Sequence, residues 1–213
     1  MKILVTGSSS GIGKAIAEKF LSEGHLVYGI DINDSSIQNN QYTHFKQSVL
    51  DRPFPKIDDL DILINNAGIQ DGNVIDVNLK AVIDITENYI NDNIKSIVFI
   101  ASSSATTGSE FPEYVASKGG VVAYMKNVAL RISKYGATAN SISPGGVITP
   151  LNKHILESEE LYSQVLNETL LNKWATAEEI AEFTYFVSAI NKSMTGEDIF
   201  IDNGEKLKSN FIW

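Results

Sequence analysis

The chain has 213 residues, 43% hydrophobic and 20% charged, the balance of a globular protein large enough to bury a core without cross-links. It has no cysteine, which excludes disulfide scaffolds, zinc–cysteine sites, iron–sulfur clusters and cysteine nucleophiles. The net charge of −9 argues against nucleic-acid and anionic-membrane partners, and no apolar run approaches the length of a transmembrane helix.

In chain order, residues 2–5 form a short apolar run stopped by Thr6-Gly7, the pattern of a buried parallel strand. The apolar stretch is too short for a signal peptide, so a cytoplasmic protein is expected. Residues 11–23 carry Ile12, Ile16, Ala17, Phe20 and Leu21 at helical spacing, and Gly24 stops them. Residues 26–30 read as the second strand, 43–49 as a weaker third and 62–65 as a fourth. Residues 73–91 predict a helix and 95–101 a very apolar strand. Residues 112–135 predict a long helix, with the small residues Ala116, Ser117, Gly119, Gly120 and Ala123 on part of its surface. Residues 138–143 read as a sixth strand, 151–172 as one or two short helices, 177–190 as an amphipathic helix, and 198–201 as the last strand. This alternation predicts an α/β fold: a doubly wound parallel sheet with helices on both faces and right-handed crossovers. Such sheets bind ligands at the carboxyl ends of their strands, where every motif below lies.

Thr6-Gly7-Ser8-Ser9-Ser10-Gly11-Ile12-Gly13 joins the first strand to the first helix. Glycines allow a tight turn and close approach of a ligand, and a helix N-terminus offers free N–H groups to a phosphate. The spacing is neither that of the standard dinucleotide fingerprint nor that of a P-loop. Asp31 ends the second strand, 18 residues after Gly13. A carboxylate there accepts hydrogen bonds from adenosine ribose and repels a 2′-phosphate. With no arginine at Ser8–Ser10 or beside Asp31, NAD(H) is expected in preference to NADP(H).

Tyr114 and Lys118, four residues apart, share one helix face. A nearby ammonium favours a phenolate, which suits the pair to acid–base work on an alcohol or ketone. Ser102 follows the fifth strand, 12 residues earlier. Asn65-Asn66-Ala67-Gly68 ends the fourth strand, and Asn78 lies in a helix. Taken singly, each string has a plainer use. The glycines build a turn, Asp31 faces solvent, the Tyr–Lys pair is surface structure, Ser102 caps a helix, and Asn78 is a tolerated helical residue.

Together the strings resemble the classical short-chain dehydrogenase/reductase family: Thr6-Gly7-x₃-Gly11-x-Gly13, Asn65-Asn66-Ala67-Gly68, Ser102 with Tyr114-x₃-Lys118, and Pro144-Gly145-x-Val147-x-Thr149, in the family's order along nearly the whole chain. The resemblance implies a Rossmann domain over residues 1–213 with a seven-stranded sheet and a substrate-loop segment at about 151–172. It implies a tetrad of Asn78, Ser102, Tyr114 and Lys118. Tyr114 would exchange a proton with the substrate oxygen, which Ser102 polarises. Lys118 would bind the nicotinamide ribose and lower the tyrosine pKa, and Asn78 would hold a water leading to Lys118. The cofactor contacts implied are Gly7, Ser9, Ser10, Gly11, Ile12, Gly13, Asp31, Ser48, Val49, Asn66, Ala67, Gly68, Tyr114, Lys118, Pro144, Gly145, Val147 and Thr149. No metal is implied. Val147 and Thr149 would hold the carboxamide end of NAD.

Three departures stand out. Only nine residues separate Gly68 from Asn78, fewer than is usual. Ser48-Val49 stands where many members have Asp-Val. Ser102 opens a run of three serines, so the catalytic one is open among neighbours. Specificity is expected from residues 103–112, Gly145–Gly146 and 151–172, where Leu151, Ile155, Leu156, Leu161 and Leu166 fit either a short lid or ordinary helix packing. The substrate expected is a small alcohol or carbonyl compound. The acidic chain argues against a carrier-protein ketoreductase, which prefers a basic docking patch. A non-catalytic dinucleotide sensor and an epimerase or dehydratase of the extended relatives are the alternatives. The former has no need of the tetrad, and the latter needs a larger C-terminal domain. A homodimer or homotetramer is expected, packed through the small-residue helix face and through Phe211-Ile212-Trp213.

Overall fold

A computed structural model describes residues 1–207. The apolar runs become strands β1 (Lys2–Thr6), β2 (Leu26–Asp31), β3 (Tyr42–Lys46), β4 (Ile62–Asn65), β5 (Ser96–Ile100), β6 (Thr138–Pro144), β7 (Val147–Ile148), β8 (Ala175–Thr176) and β9 (Asp198–Ile201). The helices are α1 (Gly11–Ser22), α2 (Ala81–Tyr89), α3 (Ser104–Thr107), α4 (Pro112–Ile132), α5 (Lys153–Leu156), α6 (Glu159–Leu166) and α7 (Ala177–Tyr185). Seven strands form one parallel sheet in the order β3-β2-β1-β4-β5-β6-β9. The chain leaves β1 toward β3 and returns to the other side of β1 at β4, so the crevice for a ligand opens where these strands end.

The two faces of the sheet follow from the two-residue period of a strand. Leu4, Leu63, Phe99 and Ala139 point to the face covered by α2 and α4, among Val82, Ile85, Val121 and Met125. Ile3, Val5, Ile62, Ile64, Val98 and Ile142 point to the opposite face, against Ile16 and Phe20 of α1 and Ile180 of α7. Thr176 starts α7 with a reciprocal cap: its hydroxyl accepts the Glu179 N–H, and the Glu179 carboxylate accepts the Thr176 N–H.

Several expectations shift. β3 stops at Lys46, so Ser48 and Val49 lie in the following turn, where the Ser48 hydroxyl accepts the Leu50 N–H at 3.1 Å. The helix expected over 73–91 begins as a π-helical turn, Asp76–Lys80, before the regular α2. The helix expected over 177–190 ends in a second such turn, Phe186–Ile190. α3 and the two-residue pair β7–β8 were not legible, being too short for either period to show. The small-residue face of α4 divides. Ser117 is fully buried and Gly120 packs on Leu79 of the same chain, while Ala116 and Ala123 face outward. Phe211-Ile212-Trp213 lies outside the described residues. No described helix is long and apolar enough to cross a membrane.

Candidate active site

The glycine-rich loop is held by the end of β4. The Thr6 hydroxyl accepts the N–H groups of Asn66 and Ala67, both at 3.0 Å. The Asn66 amide donates back to the carbonyls of Thr6 and Gly7 at 2.9 and 3.2 Å. The approach leaves no room for side chains. A Cβ at Gly7 would lie 2.9 Å from the Ala67 Cα, and one at Gly13 would collide with the Gly7 carbonyl. Ser10 precedes α1 without capping it, and the first turn carries no acidic residue. Its N–H groups are therefore left for an anion, and the cradle fits a dinucleotide pyrophosphate.

Asp31, at the end of β2, is nearly buried and accepts N–H groups from Ser9 and Asn33, both at 2.9 Å. It is thus tied into the loop rather than facing solvent, with lone pairs left for ribose hydroxyls. Across the sheet from Asp31 sits Lys46, which pairs with Asp34 at 2.8 Å. This cation beside the ribose position was missed in the sequence because it arrives from β3, 15 residues away.

A cleft of about 940 Å³ runs from this loop across the carboxyl edge. Gly7, Ser10, Gly11, Ile12, Asn66 and Gly68 line one end. Ser102, Tyr114 and Lys118 lie at its centre, with Pro144, Gly145, Val147 and Thr149 opposite. Ser9, Gly13, Asp31, Ser48, Val49, Ala67 and Asn78 do not line it. Asn78 is buried in the π-helical turn. Its side chain accepts the Ile69 N–H at 2.9 Å and donates to the Ile69 carbonyl at 2.8 Å and the Ser117 hydroxyl at 3.3 Å. It clamps the short span after Gly68.

Ser102 is set apart from its neighbours by hydrogen bonding. Its oxygen accepts the Ser104 N–H at 3.2 Å and the Ser104 hydroxyl at 2.9 Å. Both lone pairs are used, so its own proton is left to donate. Ser103 instead faces the Glu205 carboxylate at 3.5 Å, and Ser104 is turned onto Ser102.

Lys118 is only 5% exposed, and its ammonium donates to the Ile100 carbonyl at 2.9 Å. Burial pushes its pKa down to about 8, against the pull of Glu110. Tyr114 is 9% exposed, and burial followed by repulsion from Glu110 pushes its phenol up to about 12, while Ser102 draws it back. The net direction is thus set by burial and not by Lys118, which is absent from its causes. The ammonium lies 5.6 Å from the ring centroid and is turned to a carbonyl, so desolvation decides the direction.

The substrate end carries carboxylates that the sequence reading passed over: Glu110, Glu168 and Glu205. Glu110 sits in the loop before α4 at a φ of +93°, a conformation unusual for a side-chain-bearing residue. Burial, then Glu205, raises its pKa, while Lys118 lowers it. Glu205 is raised by burial, then by Asp202 and Glu168. Among the described residues no arginine lines the cleft, and the basic side chains that do are Lys118 and His154. Of the apolar residues expected to set specificity, Leu151 and Ile155 line the cleft, whereas Leu156, Leu161 and Leu166 do not. α5 and α6 bury none of their side chains fully, and Tyr162 packs edge-on against Trp174 at the cleft wall.

The family model described as enoyl-(acyl carrier protein) reductase matches residues 43–206. The 3-oxoacyl-[acyl-carrier-protein] reductase FabG of Buchnera aphidicola subsp. Schizaphis graminum is 31% identical over 94% of this chain and 95% of its own. A short chain dehydrogenase family protein from Francisella tularensis superimposes with a TM-score of 0.85 at 29% identity, covering 97% of this chain and 99% of that one. A 4-hydroxyisoleucine dehydrogenase complexed with NADH gives a TM-score of 0.87 at 26% identity, covering 98% and 99%.

The buried Lys118 makes a prediction about stability. Its folded pKa lies below the unfolded value, so the group opposes folding in full below about pH 8, where both states carry the charge, and the penalty is relieved as the folded state loses its proton between pH 8 and 10.5. A drop from 10.5 to about 8 corresponds to roughly 3 kcal/mol. Lys118→Met should therefore raise the melting temperature by a few degrees at pH 7. The gain should shrink between pH 8 and 10.5, which calorimetric melts at pH 7 and pH 10 will read.

Proposed function

Because the chain belongs to the short-chain dehydrogenase/reductase family, and is an oxidoreductase on that ground, we propose that its cleft moves a hydride between a nicotinamide dinucleotide and the carbinol or carbonyl carbon of a small molecule, with Asn78, Ser102, Tyr114 and Lys118 as the working residues. The observation that carries this assignment is the convergence of the Ser102, Tyr114 and Lys118 side chains in the one cleft that also reaches the uncapped start of α1. When bound, the dinucleotide supplies the hydride acceptor or donor.

The protein's part is proton handling and orientation. Ser102 donates its free proton to the substrate oxygen. Tyr114, held as a phenol by burial, gives its proton to that oxygen in reduction and is left as the phenolate; oxidation runs the reverse step, in which the phenolate takes the alcohol's proton. Lys118 has spare protons beyond its bond to Ile100 and reaches the ribose beside the nicotinamide. Asn78 holds the backbone at Ile69 that floors this position. Gly7, Ser9, Ser10, Gly11, Ile12 and Gly13 hold the pyrophosphate side; Asn66, Ala67, Gly68, Pro144, Gly145, Val147 and Thr149 border the nicotinamide side; Ser48 and Val49 meet the adenine. NAD(H) is favoured over NADP(H), because Asp31 repels a 2′-phosphate and Lys46 is engaged with Asp34.

Tyr114→Phe should keep NADH affinity within about twofold and lose turnover by at least ~10²-fold. Parallel fluorescence titrations with NADH and NADPH should show tighter binding of NADH. Equal loss of binding and turnover would make the tyrosine structural, and preference for NADPH would overturn the role of Asp31.

The carboxylates narrow the substrate. Glu110, Glu168 and Glu205 at the substrate end favour a neutral polyhydroxyl or an amine-bearing substrate over a carboxylate or a phosphate-bearing carrier. The FabG relative is named for a carrier-bound substrate, and this charge is what separates the present chain from that activity. With NAD⁺, 4-aminocyclohexanol should exceed 4-hydroxycyclohexanecarboxylate in kcat/KM by about tenfold, with cyclohexane-1,4-diol between them. In Glu110→Gln/Glu205→Gln the gap should close to about threefold; a preference for the carboxylate in the native enzyme would exclude this substrate class.

The outer face of α4, with Ala116, Ala123 and the highly exposed Leu130, is the surface proposed for subunit packing in a homodimer or homotetramer. Multi-angle light scattering should give a dimer or tetramer mass, and Leu130→Glu should shift it toward the monomer.

A further inference from the structure

Ser8 is fully buried beneath the glycine-rich loop, and its hydroxyl lies 3.0 Å from the Tyr42 hydroxyl. Tyr42 and His44, two residues apart on β3, share a face of the strand, and their rings stack with centroids 6.2 Å apart. The Tyr42 hydroxyl is 3.3 Å from His44 Nδ1, and His44 Nε2 is 2.9 Å from the Asn33 carbonyl. That same carbonyl accepts the Ser9 hydroxyl at 3.1 Å.

The direction of the chain follows from its end. A carbonyl only accepts, so His44 Nε2 carries a proton and donates it. In the neutral ring Nδ1 then accepts from Tyr42, and the Tyr42 oxygen accepts from Ser8. The route crosses β2 at Gly29, where any Cβ would collide with both the Ser8 and the Tyr42 hydroxyls. The glycine in the middle of β2 therefore has a reason: it clears the passage for this chain.

We propose that Tyr42 and His44 are positioning residues for the dinucleotide. They fix the distance between the phosphate cradle at Ser8–Ser9 and the turn Asp31–Asn33, and so both the affinity for NADH and the rejection of NADPH. This rests on the dinucleotide reading of the cleft. Neither residue lines the cleft, and they act through Ser8 and Asn33.

The test uses Tyr42→Phe and His44→Phe, which keep the stacked rings and remove the hydrogen bonds. Each should raise the NADH dissociation constant about 3–10-fold by fluorescence titration and calorimetry. The double variant should be within about twofold of the weaker single variant, because both break one chain. The ratio of NADPH to NADH dissociation constants should fall at least about threefold, a change that mere loss of stability does not produce. Unchanged NADH affinity with a lowered melting temperature would make the chain purely structural and overturn the proposal, as would effects that multiply in the double variant. If the native protein binds neither NADH nor NADPH, the dinucleotide reading fails and this proposal with it. Native binding with unaffected variants sinks the proposal alone.

Discussion

The close approach of the ends of β1 and β4 governs the carboxyl edge of the sheet. Thr6 and Asn66 exchange hydrogen bonds there, and the space between Gly7, Gly13 and Ala67 admits no side chain. The consequence reaches the centre of the cleft by direct contact. The clasp places Gly68, where a Cβ would meet the Asn78 carboxamide oxygen at 3.3 Å and the Lys118 ammonium at 3.5 Å. Asn78 then holds Ile69 by both backbone groups. The phosphate cradle and the buried lysine are thus two ends of one packed strip. A shift of a few tenths of an ångström at either end has no slack to absorb it.

Within that strip the electrostatics oppose folding. Lys118 is buried with no carboxylate at salt-bridge distance among the described residues, and its charge is met chiefly by the Ile100 carbonyl. Burial disfavours the ionisation of both Glu110 and Glu205, helped by Glu205 at the first and by Asp202 and Glu168 at the second. A fold selected for stability alone would replace both features, since an uncompensated buried charge costs several kcal/mol. Their retention in this cleft is what a site of proton transfer requires, where burial sets each group away from its ordinary pKa.

Much of this was legible in the sequence because it is local. The sheet follows from apolar runs bounded by Gly, Pro and Asn, and the phosphate cradle from the glycines between Thr6 and Gly13. The Tyr114–Lys118 pair follows from one helical turn. What was not legible is long-range or energetic. Glu205 meets Ser103 only because β9 lies beside β6, and Lys46 comes beside Asp31 only because β3 pairs with β2 in that register. The direction of the Tyr114 pKa was not legible because spacing reveals a neighbouring ammonium but not where it points, nor how dry the site is. Ser102 was left open among three serines because hydroxyl identity is decided by which lone pairs are already used, and that is a property of the turn into α3.

The short span between Gly68 and Asn78 ties shape to charge. Nine residues join the two, and the Asn78 clamp on Ile69 closes the span without a helix of its own. The chain that emerges at the mouth of the cleft is Gln70 and Asp71, which line it together with Glu110. An approaching anion therefore meets the carboxylates Asp71, Glu110, Glu168 and Glu205 in the cleft lining. The buried Lys118 attracts Glu110 and donates to the Ile100 carbonyl, but it is one lysine among the lining carboxylates Asp71, Glu110, Glu168 and Glu205. Contraction and acidity act in the same sense, and on the proposed reading of the cleft they would select by access as well as by contact for substrates that are neutral or carry an amine.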